Sequence, residues 1–181
     1  MQTETGGTQV EFWDIYDKNR QKTGGQIARG QALPDGCYHL AAQAWIRNPH
    51  GQWLITRRAP NIGRGLLWEA PGGAVMAGED SLTGMRRELH EELGLTLSGG
   101  TYFCWVRLDP PQWRFPGLLD IWYFEADFPL TDAVLQPEEV CDIRWADEDE
   151  ILALIAGGQF IPMRDLTYHT ELFAAVRRGE L

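Results

Sequence analysis

Glu88, Glu91 and Glu92 are spaced so that one helix would carry three carboxylates on one face. At 100° per residue they span about 100°, beside an apolar stripe of Leu82, Met85, Leu89 and Leu93 that falls within roughly 80°. Like charges this close cost a few tenths of a kcal/mol per pair unless something positive sits against them. A divalent cation is the obvious partner, and hard oxygen donors favour Mg²⁺ or Mn²⁺ over zinc. An acidic helix face is also ordinary solvated surface, and Glu is a good helix former. What adds weight is Pro71, Gly72 and Gly73 upstream, a stretch that can approach a ligand closely and turn backbone groups toward it.

The elements that must position these residues follow from the surrounding pattern. Steps of three and four predict an amphipathic helix from about Asp80 to Leu93, with Gly94 as its stop signal. Upstream, CYHLAAQAWIR and QWLITRR read as adjacent strands joined by the turn NPHG. RAPNIGRG reads as a loop, LLWEA as a short strand and PGGAVMAGE as a glycine-rich loop. Downstream, TYFCWVRL and LLDIWYFEADF are strand-like around the loop DPPQWRFPG, and VCDIRWA is a further strand. The tail carries two helical patterns, one from near Asp147 with Ile151, Leu152 and Leu154, the other from about Met163 to Arg178. Strands on both sides of a helix, with more helix at the end, predict a mixed sheet covered by helices. At the start, residues 1–7 are expected to fray, and Phe12 to Tyr16 with a turn at Lys22 to Gly25 suggests a hairpin or a loose arm.

At 181 residues the chain suits one domain with a sizeable core. Sixteen basic against 26 acidic residues give a formal charge of -10, which argues against nucleic-acid polymers and anionic membranes as partners. A phosphorylated small molecule is compatible with that charge if a local arginine cluster or a bound metal reverses the sign in a cleft. No apolar run is long enough for a membrane span and no signal peptide is evident, so a cytoplasmic location is expected. Three scattered cysteines, Cys37, Cys104 and Cys141, predict buried free thiols rather than a disulfide framework.

Residues Gly73 to Leu95, GAVMAGEDSLTGMRRELHEELGL, resemble the Nudix box at Gly73, Glu79, Arg87, Glu88, Leu89, Glu91, Glu92, Gly94 and Leu95. More weakly, Glu11 to Trp145 looks like the branch of that superfamily containing isopentenyl diphosphate isomerases and related hydrolases. The resemblance implies an α/β fold, an α/β/α sandwich with a mixed sheet, over residues 36–181, with residues 1–35 as an N-terminal arm or hairpin. It also implies that Glu88, Glu91, Glu92 and the Gly72 carbonyl hold the metal, that Arg87 orients the glutamates and that Glu79 supports the loop. The isomerase chemistry of that branch uses a cysteine just before the box. Here that segment is LLWEAPGG, without cysteine, while Cys37 lies one or two strands earlier.

The implied activity is metal-dependent hydrolysis of a diphosphate bond in a nucleoside diphosphate-linked or related small molecule; the alternatives are an isomerase-like enzyme and a diphosphate-binding protein without turnover. A proton acceptor is needed beside the metal, and Asp120, Glu138 and Glu139 are the candidates. One of Arg57 and Arg58 is expected to reach phosphate, the alternative being a surface salt bridge. Trp113, in a loop, stacks on the rest of the substrate or folds back onto Phe115. His39 is a second-rank substrate contact in an apolar strand, and Trp45, Trp105, Trp122 and Trp145 are assigned to the core. The expected partner is a small-molecule diphosphate, with a homodimer as the alternative to a monomer.

Overall fold

The computed structural model describes residues 10–161 and 166–181. A two-stranded hairpin, β1 (Phe12–Tyr16) and β2 (Lys22–Ala28), precedes the main sheet. That sheet contains β3 (His39–Arg47), β4 (Trp53–Arg58), β5 (Trp68–Glu69), β6 (Gly72–Ala74), β7 (Thr101–Leu108), β8 (Gly117–Glu125) and β9 (Val140–Ala146). The order β5-β4-β3-β8-β7 forms its spine, with β6 on β3 and β9 on β4. Strands β3 and β8 run parallel over their whole length and the other pairs are antiparallel, so the sheet is mixed.

Alternation along β3 and β8 feeds two cores. Ala42, Ala44, Ile46, Leu118 and Phe124 pack with Met85, Leu89 and Leu93 of helix α1 (Ser81–Leu93). Trp45, Leu119, Ile121 and Tyr123 face the other way, onto Ile151 of α2 (Glu148–Ala156) and Leu172 and Phe173 of α3 (Tyr168–Arg177). Helices therefore cover both faces of the sheet in an α/β/α sandwich. Met85 and Leu89 are buried to 0% and 1% exposure, which at about 1.5–3 kcal/mol per side chain anchors α1 and fixes its rotation. Asp80 caps the helix by accepting from the Thr83 N–H at 2.8 Å, and Gly94 ends it at a left-handed φ of 67°.

Strand β3 is forked. Its end at Arg47 pairs with Trp53 of β4, while Ala41 to Gln43 pair with β6. The Gly72–Ala74 segment, expected as loop, is thus strand, because two small glycines let it lie flush on β3; a side chain at Gly72 would overlap the Ala42 carbonyl.

Other expectations need correcting. The hairpin reverses between Tyr16 and Lys22, where Asp17 accepts from the Asn19 and Gln21 N–H groups, rather than at Lys22 to Gly25. Trp105 is 40% exposed, since β7 is an edge strand and α1 packs chiefly over β3 and β6. Cys37 and Cys104 are half-buried and Cys141 is exposed, so none is a core thiol. The expected fraying of residues 1–7 and the helix start at Met163 lie outside the described residues. Among the described residues no helix is long and apolar enough to cross a membrane.

Candidate active site

Helix α1, fixed by Met85 and Leu89, delivers Glu88, Glu91 and Glu92 to a cavity of about 230 Å³ whose facing wall is Gly72 and Gly73 of β6. A side chain at Gly73 would overlap the Glu88 carboxyl, so glycine here is what allows the strand to meet the carboxylate. Arg87 ties the assembly together with all five of its N–H donors. Its Nε donates to Glu79 at 2.9 Å, one terminal nitrogen to Glu88 and Glu91 at 2.9 and 3.0 Å, and the other to Glu79 and the Ala74 carbonyl at 3.1 and 2.9 Å. Glu79 in turn accepts from the Met76 N–H at 3.0 Å, holding the loop that leads into the helix. Despite burial, the acids around Arg87 push its pKa up.

Glu92 has no such cation. Among the described residues it makes no ion pair, and burial, followed by repulsion from Glu88, Glu69 and Glu139, pushes its pKa up to about 9. Burial also raises Glu88 in spite of Arg87, and takes Glu69 to about 6 in spite of Arg58. Glu88 and Glu92 share the cavity with Glu11, Glu91 and Glu139, and among the described residues only Arg29, Arg58 and Arg87 line it as cations. The donor set is all hard oxygen, which fits a Mg²⁺ or Mn²⁺ ion. Among the described residues no three His, Cys, Asp or Glu side chains already close on a single point; Glu88 and Glu91 are instead held by Arg87.

Of the two strand arginines, alternation sends only Arg58 to the cavity, where it donates to Glu69 at 2.7 Å and to the Gly63 carbonyl at 2.9 Å. Arg57 points away; its Nε donates to the Leu66 carbonyl at 3.1 Å and its guanidinium lies 5.8 Å from the Trp68 ring centre. It is corrected from a substrate contact to a packing residue. Asp120 is corrected as well. It is fully buried on β8, its two carboxylate oxygens accept from Arg20 of the hairpin turn, and it does not line the carboxylate cavity. Of the acidic pair, Glu139 lines that cavity and Glu138 is exposed.

A second cavity, of about 240 Å³, continues from Gly72, Gly73 and Glu69 into apolar surroundings that include His39, Leu108, Trp113 and Phe115. His39 stacks on Trp13 with ring centres 4.4 Å apart, and its Nδ1 lies 2.9 Å from the Pro116 carbonyl. A carbonyl only accepts, so Nδ1 carries the proton. Burial holds the ring's pKa below its ordinary value. Trp113 lines the same cavity and packs against the α3-side core.

Gln136, Arg29 and Glu11 also line the carboxylate cavity, and Glu69 lines the adjoining apolar one; none of the four was foreseen. Glu69 had a signal, since it stands two residues before Pro71 in the strand that leads to the glycines. Arg29 and Glu11 had none, because they arrive from the hairpin and pair with each other.

A family model described as NUDIX domain matches residues 38–166. The chain belongs to the Nudix family. An uncharacterized Nudix hydrolase of Listeria monocytogenes is 35% identical over 157 residues, covering 84% of this chain and 89% of that one. An isopentenyl-diphosphate Delta-isomerase of Clavibacter sepedonicus is 31% identical, covering 67% of this chain and 66% of that one. The crystal structure of DR0079 from Deinococcus radiodurans aligns with a TM-score of 0.67 at 24% identity, over 93% of this chain and 98% of that one. The NUDIX domain of Shewanella oneidensis NrtR, solved with ADP ribose, aligns with a TM-score of 0.61 at 17% identity, over 80% and 89%. At such identities these structures speak for the Nudix fold. The hairpin residues Glu11 and Arg29 precede the matched stretch yet line the same cavity as the Nudix-box glutamates.

Proposed function

We propose that the chain is a metal-dependent diphosphate hydrolase acting on a nucleoside diphosphate-linked or related small molecule. The observation that carries this reading is the cavity where Glu88, Glu91 and uncompensated Glu92 face Gly72 and Gly73, opening into an apolar cleft. Glu88, Glu91, Glu92 and the Gly72 carbonyl would hold Mg²⁺ or Mn²⁺. When bound, such an ion neutralises phosphoryl oxygens and lowers the pKa of water. Arg87 fixes the rotamers of Glu88 and Glu91, so the donors are placed before a ligand arrives. Arg58 reaches a phosphoryl oxygen from the strand side, and Glu139, replacing Asp120 as acceptor, takes the proton of the attacking water. His39 and Trp113 contact the group beyond the diphosphate, His39 offering its unprotonated Nε2 as an acceptor. The ADP ribose bound by the Shewanella domain is a molecule of this class.

The Clavibacter relative raises the isomerase reading. Cys37, in the turn before β3, lines neither the carboxylate cavity nor the apolar cleft, and the segment before the box holds no cysteine. Hydrolysis is therefore the better account. Phosphate release measured with Mg²⁺ or Mn²⁺ across nucleotide, sugar-nucleotide, coenzyme and prenyl diphosphates should reveal a turned-over compound whose hydrolysis stops with chelator. Turnover that survives both chelation and Glu92→Gln would overturn the proposal.

A further inference from the structure

A third cavity, of about 440 Å³, adjoins the other two through Arg58, Glu69 and Trp113. Its walls are the segment 58–69 and the loop 109–116, and it gathers Arg58, Arg64 and Arg114 in a chain whose net charge is -10. Arg58 is committed to Glu69. Among the described residues neither Arg64 nor Arg114 pairs with any carboxylate, although acids outnumber bases 26 to 16.

Arg64 is also held in place. Its backbone is left-handed at φ 61°, a conformation that disfavours residues other than glycine. Its guanidinium donates to the Gln112 carbonyl across the cavity and lies 4.3 Å from the Trp113 ring centre. Burial, and then repulsion from Arg58, lowers its pKa, against the pull of Glu69. Arg114 is exposed, 5.0 Å from the Phe115 ring centre, and among the described residues its N–H fork makes no hydrogen bond. Glu69 is the one acid lining the cavity among the described residues, and Arg58 offsets it.

We infer that this cavity is a second anion subsite, in which Arg64 and Arg114 clasp a phosphoryl group that the substrate carries beyond the bond to be cleaved. Resting on the diphosphatase reading, this narrows the substrate to one with a diphosphate at the glutamates, a flat or apolar body over Trp113 and a further phosphoryl group on the same side. Planar guanidinium forks suit tetrahedral oxyanions, and a cavity walled by protein screens them less than open surface would.

The test has two arms. In chelator, inorganic phosphate is titrated by calorimetry into the wild-type chain, Glu92→Gln, Arg114→Ala and Arg64→Gln. Binding to the first two, weakened at least about tenfold in the arginine variants, is expected, since each variant removes charge-assisted hydrogen-bond donors. Because Arg114 is exposed and, among the described residues, makes no hydrogen bond or ion pair, its variant stays informative even if Arg64→Gln loosens the loops. Absence of phosphate binding, or binding equal in all four chains, overturns the subsite. In the second arm, two diphosphates differing only in one outer phosphoryl group are compared. A kcat/KM preference of about tenfold or more for the phosphorylated one, lost in Arg114→Ala, is expected; phosphate binding without that preference overturns the assignment to substrate. If no diphosphate is hydrolysed, the diphosphatase reading fails while the calorimetry still decides whether the anion site exists.

Discussion

Asp120 and Glu92 are both acids drawn out of water near helix α1, and the fold treats them oppositely. Asp120 is fully buried and receives a forked pair of hydrogen bonds from Arg20, a residue 100 positions earlier whose backbone adopts φ 62° in the turn that delivers it. Glu92, among the described residues, makes no ion pair; Glu88, Glu69 and Glu139 repel it and Arg58 offsets them only in part. A buried acid with a dedicated partner stabilises an arrangement, here the docking of the hairpin on the sheet. A group of buried acids left without one destabilises the fold unless a ligand completes it, which is the mark of a site shaped for binding.

The sharpest way to break this comparison is to neutralise each acid in turn. Glu92→Gln should lower diphosphate turnover by about a hundredfold or more, since placed charge supplies several kcal/mol at the transition state. Its melting temperature in chelator should equal or exceed wild type. Asp120→Asn should do the reverse, costing about 1–3 kcal/mol of stability through Arg20 left with a weaker partner, with kcat little changed. The lower part of that range is expected because Arg20 is a third exposed and can turn to water. Urea melts and steady-state rates on both variants check the pair.

Arg87→Lys comes next. A lysine keeps the charge and loses the fork that spans Glu79, Glu88 and Glu91, so activity should fall about 10–100-fold, with the metal concentration needed for half-activity rising in parallel. An unchanged metal requirement would mean that Arg87 only supports the loop.

Proton linkage gives a finer test. Glu92 ionises near 9 when folded against an ordinary value of 4.5. Below 4.5 both states are protonated. Between 4.5 and 9 the unfolded chain gives up the proton and the folded chain keeps it, so this group makes the metal-free fold less stable as pH rises. The stability gained by Glu92→Gln in chelator should therefore grow from near zero at acid pH to its full value at the alkaline end. Denaturant melts across that range measure it, and a gain that is flat with pH would remove the claim that Glu92 lacks a counter-charge. Smallest of all, His90→Gln on the exposed face of α1 should change stability by no more than about 0.5 kcal/mol and leave turnover alone.

The glutamate face was legible because a helix repeats at a fixed angle, so Met85 and Leu89 facing inward decide where Glu88, Glu91 and Glu92 must point. Strand residues were legible only up to phase. Alternation says that Arg57 and Arg58 face opposite ways, and only the pairing of β4 with β5 and β9 says which one meets Glu69. Asp120 misled because its pattern, an acid within an apolar strand, is the same for a structural pair and for a base. Its partner arrives from the hairpin, a contact that local spacing does not encode. Gly84 sits inside α1, where glycine weakens a helix by up to about 1 kcal/mol relative to Ala unless the position touches a neighbouring element. A Cβ there would meet Glu79 and Val75 at 3.1 and 3.2 Å, so packing against the loop is what the glycine serves.

The most direct test is a Mn²⁺ titration of the wild-type chain, Glu92→Gln and Asp120→Asn, with free ion read by electron paramagnetic resonance. The account predicts tight binding to the wild type, nearly equal binding to folded Asp120→Asn, and affinity lowered by about tenfold or more in Glu92→Gln. Mn²⁺ binding that is the same in wild type and Glu92→Gln, or that is lost in Asp120→Asn while its fold is intact, would contradict it.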